Sequence, residues 1–239
     1  MEGMKIKMPA SLKENLKNVY NNIRESAESV NRDPSKIKLV AVGKNHPPKK
    51  IIEAMKSGHK RFGENRVQEL LNKHELFYDQ DIKWHFIGHL QKNKVKYLMK
   101  IEQLEMIESI DSLEIAEEVN REAQKLNRTI KVLLQVNIAN DPNKFGFSKE
   151  EIKKVLIEIE KKDNLVVKGL MTITPYEAEM TETKKYYQDM KSLVEDLNNQ
   201  GHDLTEISMG MSRDYEMAIK QGATIVRVGT AIFGKRKYY

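Results

Sequence analysis

The sequence predicts a single α/β barrel of the (β/α)8 type with one extra helix at its N-terminus. Three observations carry that expectation. Eight short apolar runs alternate with helical patterns along nearly the whole chain. The helices between runs are long enough to act as right-handed crossovers, which implies parallel pairing. At 239 residues the chain also has about the ~250-residue size of one such barrel. An open, doubly wound sheet shares the first two features, and periodicity cannot see closure.

Residues 9–31 read as the extra helix. Ser11-Leu-Lys-Glu14 has the form of a capping box, and Leu12, Leu16, Tyr20, Ile23, Ala27 and Val30 fall on one stripe. The strand-like runs follow at Lys38–Val42, Lys60–Gly63, Trp84–Gly88, Met106–Ile110, Val132–Asn137, Val166–Ile173, Glu206–Gly210 and Thr224–Gly229. The second and fourth are short and polar at one end. Asp111-Ser-Leu-Glu114 and Ser148-Lys-Glu-Glu151 mark two of the connecting helices as box-type starts. No Ser/Gly/Pro-rich linker or low-complexity stretch interrupts the pattern. One domain over 1–239 is therefore expected, with the barrel at 37–234.

Composition narrows the function classes. No run reaches the roughly 18 to 20 uncharged apolar residues of a membrane span, and the N-terminus shows no apolar stretch of signal-peptide length. There are no cysteines, hence no disulfide framework, thiolate metal site or cysteine nucleophile. A cytoplasmic protein that does not engage a membrane is expected. The net charge of +6 comes from 41 basic and 35 acidic residues mixed along the chain. The longest basic cluster, Lys235-Arg-Lys237, is short, so a nucleic-acid binder is not expected. A modest positive field does suit anionic phosphorylated small molecules.

Two segments near the C-terminus carry the chemistry: Ile207-Ser-Met-Gly-Met-Ser-Arg-Asp214 and Ile225-Val-Arg-Val-Gly-Thr-Ala-Ile-Phe-Gly234. Each is an apolar run ending in small residues that offer backbone N–H groups and hydroxyls, as a phosphate requires. Ser208, Met209, Gly210 and Ser212 from one, with Gly229 and Thr230 from the other, are the candidate phosphate-binding residues. Ser212 has a second reading as the cap of a short helix starting near Asp214. In a barrel, these are the loops after strands seven and eight, where phosphates often bind. Lys44 follows strand one and faces the same mouth. A partly desolvated amine there is suited to attack an aldehyde, so a phosphorylated aldehyde cofactor held as a Schiff base is expected.

Arg227 lies between Val226 and Val228. It either points into the barrel or pairs with a helix outside. Inside, its fixed charge suits a pyridine nitrogen, which it would leave unprotonated and so a weaker electron sink. Asn65 either bonds a ring hydroxyl or caps the next helix. His85 reads as a core histidine or an acid/base group. His85 and His89 are four apart, but Gly88 between them argues against a helical metal pair. No metal site and no catalytic residue are expected. Glu64 and Asp214 do not make a carboxylate pair for hydrolysis.

These residues resemble a known family. Val42-Gly-Lys44, Phe62-Gly-Glu-Asn65, Trp84-His-Phe-Ile-Gly88 with Leu90-Gln-Lys-Asn-Lys94, Gly169-Leu-Met171, Ser208-Met-Gly-Met-Ser212 and Arg227-Val-Gly-Thr-Ala-Ile-Phe-Gly234 are similar to the motifs of the YggS/PROSC group, the pyridoxal 5′-phosphate homeostasis proteins. The resemblance implies a barrel like the N-terminal domain of alanine racemase, pyridoxal phosphate on Lys44, its phosphate in the last two loops and Arg227 at its ring nitrogen. The family commonly has Val-Ser-Lys-Thr around the lysine, where this chain has Gly43 and Asn45. A monomer that stores pyridoxal phosphate and passes it to apo-enzymes is the expected function. The rival is a weak amino-acid racemase; racemases of this fold use a second, β-rich domain for which this sequence leaves no room.

Overall fold

The computed structural model describes residues 11–235, so positions 9 and 10 of the expected helix, and all of the basic tail beyond Lys235, lie outside the described residues. Helix α1 spans Leu12–Glu28, and Ser11 forms the expected capping box with Glu14. Its buried stripe differs from the expected one. Val19 is buried beside Leu16 and Ile23, whereas Tyr20 is 45% exposed and bonds His59 through its hydroxyl. Val30 falls beyond the helix end, where Asn31 takes a left-handed φ of 55°. The stripe follows a 3, 4, 4 spacing, and Tyr20 lies one residue off it.

Eight parallel strands then close on themselves in sequential order: β1 Lys38–Val42, β2 Arg61–Glu64, β3 Lys83–Phe86, β4 Leu104–Ile110, β5 Ile130–Gln135, β6 Leu165–Met171, β7 Glu206–Ser208 and β8 Ile225–Val228. The fold is a TIM barrel, and the open doubly wound alternative is excluded. Strand β5 ends before Asn137, whose side chain instead bonds Asp141 in the following loop. The crossover helices are α2 Pro48–Lys56, α3 Val67–Phe77, α4 Lys92–Leu98, α5 Leu113–Lys125, α6 Ile152–Glu160, α7 Met180–Asn199 and α8 Tyr215–Lys220, with a last turn α9 Thr230–Phe233. Helix α5 is capped by Ser112 rather than Asp111, because Asp111 faces His89 at 2.7 Å. Ser148 and Glu151 exchange both box bonds one turn ahead of α6.

Alternation along the strands sorts the side chains into two cores. Leu39 and Ala41, Val132 and Leu134, Leu170, and Val226 and Val228 belong to the large core between barrel and helices. Val40, Met106, Leu133, Met171 and Ile225 form a separate small cluster, the apolar layer inside the barrel. The next inward position on several strands is polar: Glu108, Ser208 and Arg227 lie two residues beyond Met106, Glu206 and Ile225. Helix α1 braces the closing end. Asn15 donates to Ile232 O (3.1 Å), and Arg32 donates to Ala223 O (2.8 Å).

Strand β6 passes β7 so closely that a Cβ at Gly169 would lie 1.7 Å from Glu206 O. Gly169→Ala is therefore expected to lower stability by about 3 kcal/mol or more, read as a fall in the urea midpoint. A wild-type midpoint would show that β6 and β7 are not packed this tightly.

Candidate functional site

The strand register gathers the candidate residues at the C-terminal mouth. Ala41 pairs with Val228 and Val42 with Gly63. Lys44, Gly229, Thr230 and Asn65 therefore leave neighbouring strands β1, β8 and β2 at the same end. Arg227, opposite Val40, lies deeper. Strand β7 brings the Ser208–Ser212 segment against β8, and Arg227 N donates to Gly210 O (3.0 Å).

The Lys44 loop is clamped on both sides by α3. The Nζ of Lys73 donates to Gly43 O at 2.9 Å, and the Asn45 amide donates to Glu69 Oε1 at 2.7 Å. Lys73 is buried and also bonds Glu64 (2.6 Å) and Glu69 (2.9 Å). The two departures from the family's lysine motif have structural counterparts here. A Cβ at Gly43 would sit 2.7 Å from Ile51 Cδ1 and 2.9 Å from Glu64 Oε1. Asn45 takes a φ of 62°, a region asparagine tolerates better than most residues. Burial pushes the Glu64 carboxyl up to about 7, against the opposing charge of Lys73. The signal that Glu69 and Lys73 leave in the sequence is their i, i+4 spacing on one helix face.

On the opposite side, the Ser212 hydroxyl accepts from the amides of Gly229 (3.1 Å) and Ala231 (3.2 Å). Ser212 therefore joins the two C-terminal loops and does not cap α8, whose N-cap is Asp214. Gly210 has a φ of 91°, and a Cβ there would lie 2.5 Å from Ala218 Cβ; only glycine fits this turn. Thr230 is the exposed first residue of α9, and Gly229 leaves β8 beside Val42 O, 3.3 Å from where its Cβ would be. Two members of the expected cradle are otherwise engaged. The Met209 amide donates to Ile225 O and its side chain is in the outer core, while Ser208 points inward beneath the mouth.

That inward layer holds a buried polar ladder. Arg227 is turned into the barrel and not toward an outer helix. It donates from Nη1 to Ser208 Oγ and from Nη2 to Thr172 O at 2.8 Å. Ser208 in turn bonds Glu108 Oε2 at 2.6 Å, and the Glu108 carboxylate lies 3.8 Å from Arg227. His85 Nδ1 meets Glu108 Oε1 at 2.5 Å, and its Nε2 meets Glu105 Oε2 at 2.9 Å. Glu105 is paired with Arg61 at 2.8 Å. His85 and Glu105 also line a cavity of ≈170 Å3 with Lys38, Lys131, Lys168 and Glu206, at the barrel's N-terminal end.

Burial alone would push the His85 imidazole down, but hydrogen bonds to Glu105 and Glu108 outweigh it and raise the pKa. Burial would likewise raise both carboxyls, yet His85 holds each below the usual range, with help from Arg61 at Glu105 and Arg227 at Glu108. His85 is thus a satisfied core residue, and His89 stacks on Phe145 instead of joining it. No cluster able to hold a metal ion exists among the described residues, nor a helix long and apolar enough to cross a membrane.

Residues 15–237 match the family model for the alanine racemase N-terminal domain. A pyridoxal phosphate homeostasis protein of Aquifex aeolicus is 41% identical over 226 residues, covering 94% of this chain and 98% of that one. The chain belongs to the pyridoxal phosphate homeostasis protein family. A human member is 40% identical over 212 residues, covering 84% of this chain and 77% of that one. Among solved structures, PipY of Synechococcus elongatus with PLP bound superposes with a TM-score of 0.83 at 34% identity, covering 94% of this chain and all of that one. An alanine racemase of Clostridium difficile shares the fold (TM-score 0.73, 20% identity), with 95% of this chain matching 60% of that one.

His85 donates to two carboxylates, so His85→Gln is expected to destabilise the fold by about 3–5 kcal/mol. The imidazolium's contribution is fully present below its unfolded pKa near 6.5 and is lost as pH rises through the raised native value. The gap between wild type and variant in urea unfolding should therefore be wider at about pH 6 than at about pH 9. A gap that widens with pH would contradict a charged His85.

Proposed function

We propose that this protein binds pyridoxal 5′-phosphate through a reversible Schiff base to Lys44, and buffers and hands on the cofactor within the cell without turning over a substrate. The observation that carries this is the convergence of three groups at one mouth: the clamped Lys44 loop, the Ser212–Gly229–Ala231 bridge and the inward Arg227. The homeostasis proteins to which the chain is similar over nearly its whole length, and the PLP-bound PipY, support the choice of cofactor.

The residues fit that group. Asn65 Oδ1 is buried and has no hydrogen-bond partner among the described residues, and a ring hydroxyl would supply the missing donor. Gly88 backs this residue so closely that a Cβ there would lie 2.2 Å from Asn65 O. The amides of Gly229 and Ala231 already converge on an oxygen, the Ser212 hydroxyl, and an anion's oxygens suit the same donors. Arg227 has five N–H donors, of which one bonds Ser208 and one bonds Thr172 among the described residues, so others can serve a ring nitrogen. When bound, the cofactor supplies an aldehyde and an electron-accepting ring. Lys44 contributes the amine, the loops hold the phosphate, and Arg227 keeps the ring nitrogen unprotonated. That restraint favours storage over carbanion chemistry. Recipients would be apo-enzymes that use the same cofactor.

Borohydride treatment of the loaded protein should trap a pyridoxyl group on Lys44, found by peptide mass mapping, and Lys44→Ala should lose the visible absorption band. Modification of another lysine with Lys44 untouched would overturn the assignment. Pyridoxal, lacking the phosphate, should bind at least about a hundredfold more weakly than its phosphate, because several charge-assisted bonds of roughly 1.5–3 kcal/mol each are absent. Equal affinities would place the phosphate elsewhere. Incubation with L-amino acids and chiral chromatography should show no racemisation near ~1 s⁻¹, an ordinary enzymatic rate; such turnover would favour the racemase reading.

A further inference from the structure

The proposed function uses the outer groups of the mouth and leaves the buried ladder beneath Arg227 unexplained. Glu108 is fully buried inside the barrel, at a position where an apolar side chain would extend the Met106 layer. A carboxylate in that place costs desolvation unless each of its oxygens is engaged and its charge is balanced. Both conditions are met. His85 engages Oε1, and Ser208 engages Oε2, with Arg227 alongside at 3.8 Å.

The directions of these bonds follow from the charge states of the groups. Held below their usual range, Glu105 and Glu108 are ionised and can only accept, so His85, 2.5 Å from one and 2.9 Å from the other, donates from both nitrogens as an imidazolium. Glu108 then leaves Ser208 one role toward it, as donor. With its proton committed to Glu108, the Ser208 oxygen has only lone pairs to offer Arg227, and the Nη1–H of Arg227 fills one. Thr172 O takes Nη2. The guanidinium is therefore held at two nitrogens, one of them through a serine whose hydrogen is aimed by Glu108.

We infer that Glu108 is a positioning residue for the cofactor's ring end. Anchored by His85, it orients Ser208, fixes the Arg227 guanidinium and supplies the counter-charge that sets the field at the ring nitrogen. This rests on the reading that Arg227 faces that nitrogen. Glutamine at 108 keeps the shape but not the function. If its amide nitrogen faces His85, the imidazole has to give up its Nδ1 proton to accept that bond, so His85 loses its charge. If it faces Ser208, the serine hydrogen loses its acceptor, and in either case Arg227 loses its counter-charge.

The test compares Glu108→Gln, Ser208→Ala, Arg227→Ala and a control, Glu206→Gln, which removes a carboxylate of the N-terminal cavity on β7. Three readouts are followed: pyridoxal phosphate affinity, the position of the visible band of the loaded protein, and the guanidinium 15N signals of Arg227 in the cofactor-free protein. Glu108→Gln should weaken binding roughly ten- to hundredfold, as expected for lost hydrogen bonds to charged groups. It should also displace the band and broaden the Arg227 signals. Ser208→Ala should broaden those signals too, and Glu206→Gln should change none of the three. Wild-type readouts in Glu108→Gln, with Arg227→Ala losing affinity and band position, would overturn the role of Glu108 while leaving Arg227 at the ring. Wild-type binding and band in Arg227→Ala would instead remove the ring assignment, and the inference with it. If Glu108→Gln does not fold, Ser208→Ala decides: sharp Arg227 signals and wild-type affinity there would overturn the proposal.

Discussion

Everything at the mouth depends on the pairing of β1 with β8. Lys38 to Ala41 run alongside Ile225 to Val228, and this ladder, made last in sequence order, turns a twisted sheet into a barrel. It joins positions separated by most of the chain. Lys44 leaves one of these two strands, Arg227 lies within the other, and Gly229 follows it. The site is thus a consequence of closure. Helix α1 reinforces the same seam, through the Asn15 bond to α9 and the Arg32 bonds near the start of β8.

Closure also encloses an interior, and its contents are unusual for the fold. Barrel interiors are generally packed with layers of branched apolar side chains. Here one apolar layer, of Val40, Met106, Leu133, Met171 and Ile225, shares the interior with a polar ladder. The ladder runs from Arg61 and Glu105 near the N-terminal cavity through His85, Glu108 and Ser208 to Arg227. Cation and anion alternate along it, which is how buried charges persist in a medium that penalises each one alone. Such an arrangement is rigid, since moving one member leaves another unpaired. Rigidity beneath Arg227 and a clamp around the Lys44 loop suit the proposed role of holding a reactive aldehyde without letting it react further.

Much of this was legible in the sequence, for physical reasons. Parallel strands buried on both faces read as apolar runs, so all eight were found, with ends shifted by a few residues where loops such as that of Asn137 take over the backbone. Glycine-rich strand ends announced the mouth loops. What stayed hidden were contacts made across strands. Nothing in Met106-Ile-Glu-Ser-Ile110 says that Glu108 will meet His85, and the serine at 208 resembles a phosphate donor until its hydroxyl is seen to face inward. Tyr20 is expected on the helix stripe, but it lies one residue off it and its hydroxyl bonds the buried His59. Glu69 and Lys73 carry no signal in the sequence beyond their i, i+4 spacing, and their role comes from the backbone on either side of Lys44 lying against them.

The central claim is that one mouth, assembled by closure, holds the phosphate and the aldehyde of a single molecule. Amide chemical-shift mapping during titration tests it most directly. Pyridoxal phosphate should shift Ser212, Gly229 and Ala231 together with Gly43, Lys44 and Asn45 along one binding curve. Inorganic phosphate should shift the first three and leave the Lys44 loop in place. Shifts confined to residues around the N-terminal cavity, or two groups of mouth residues responding at different concentrations, would contradict the account.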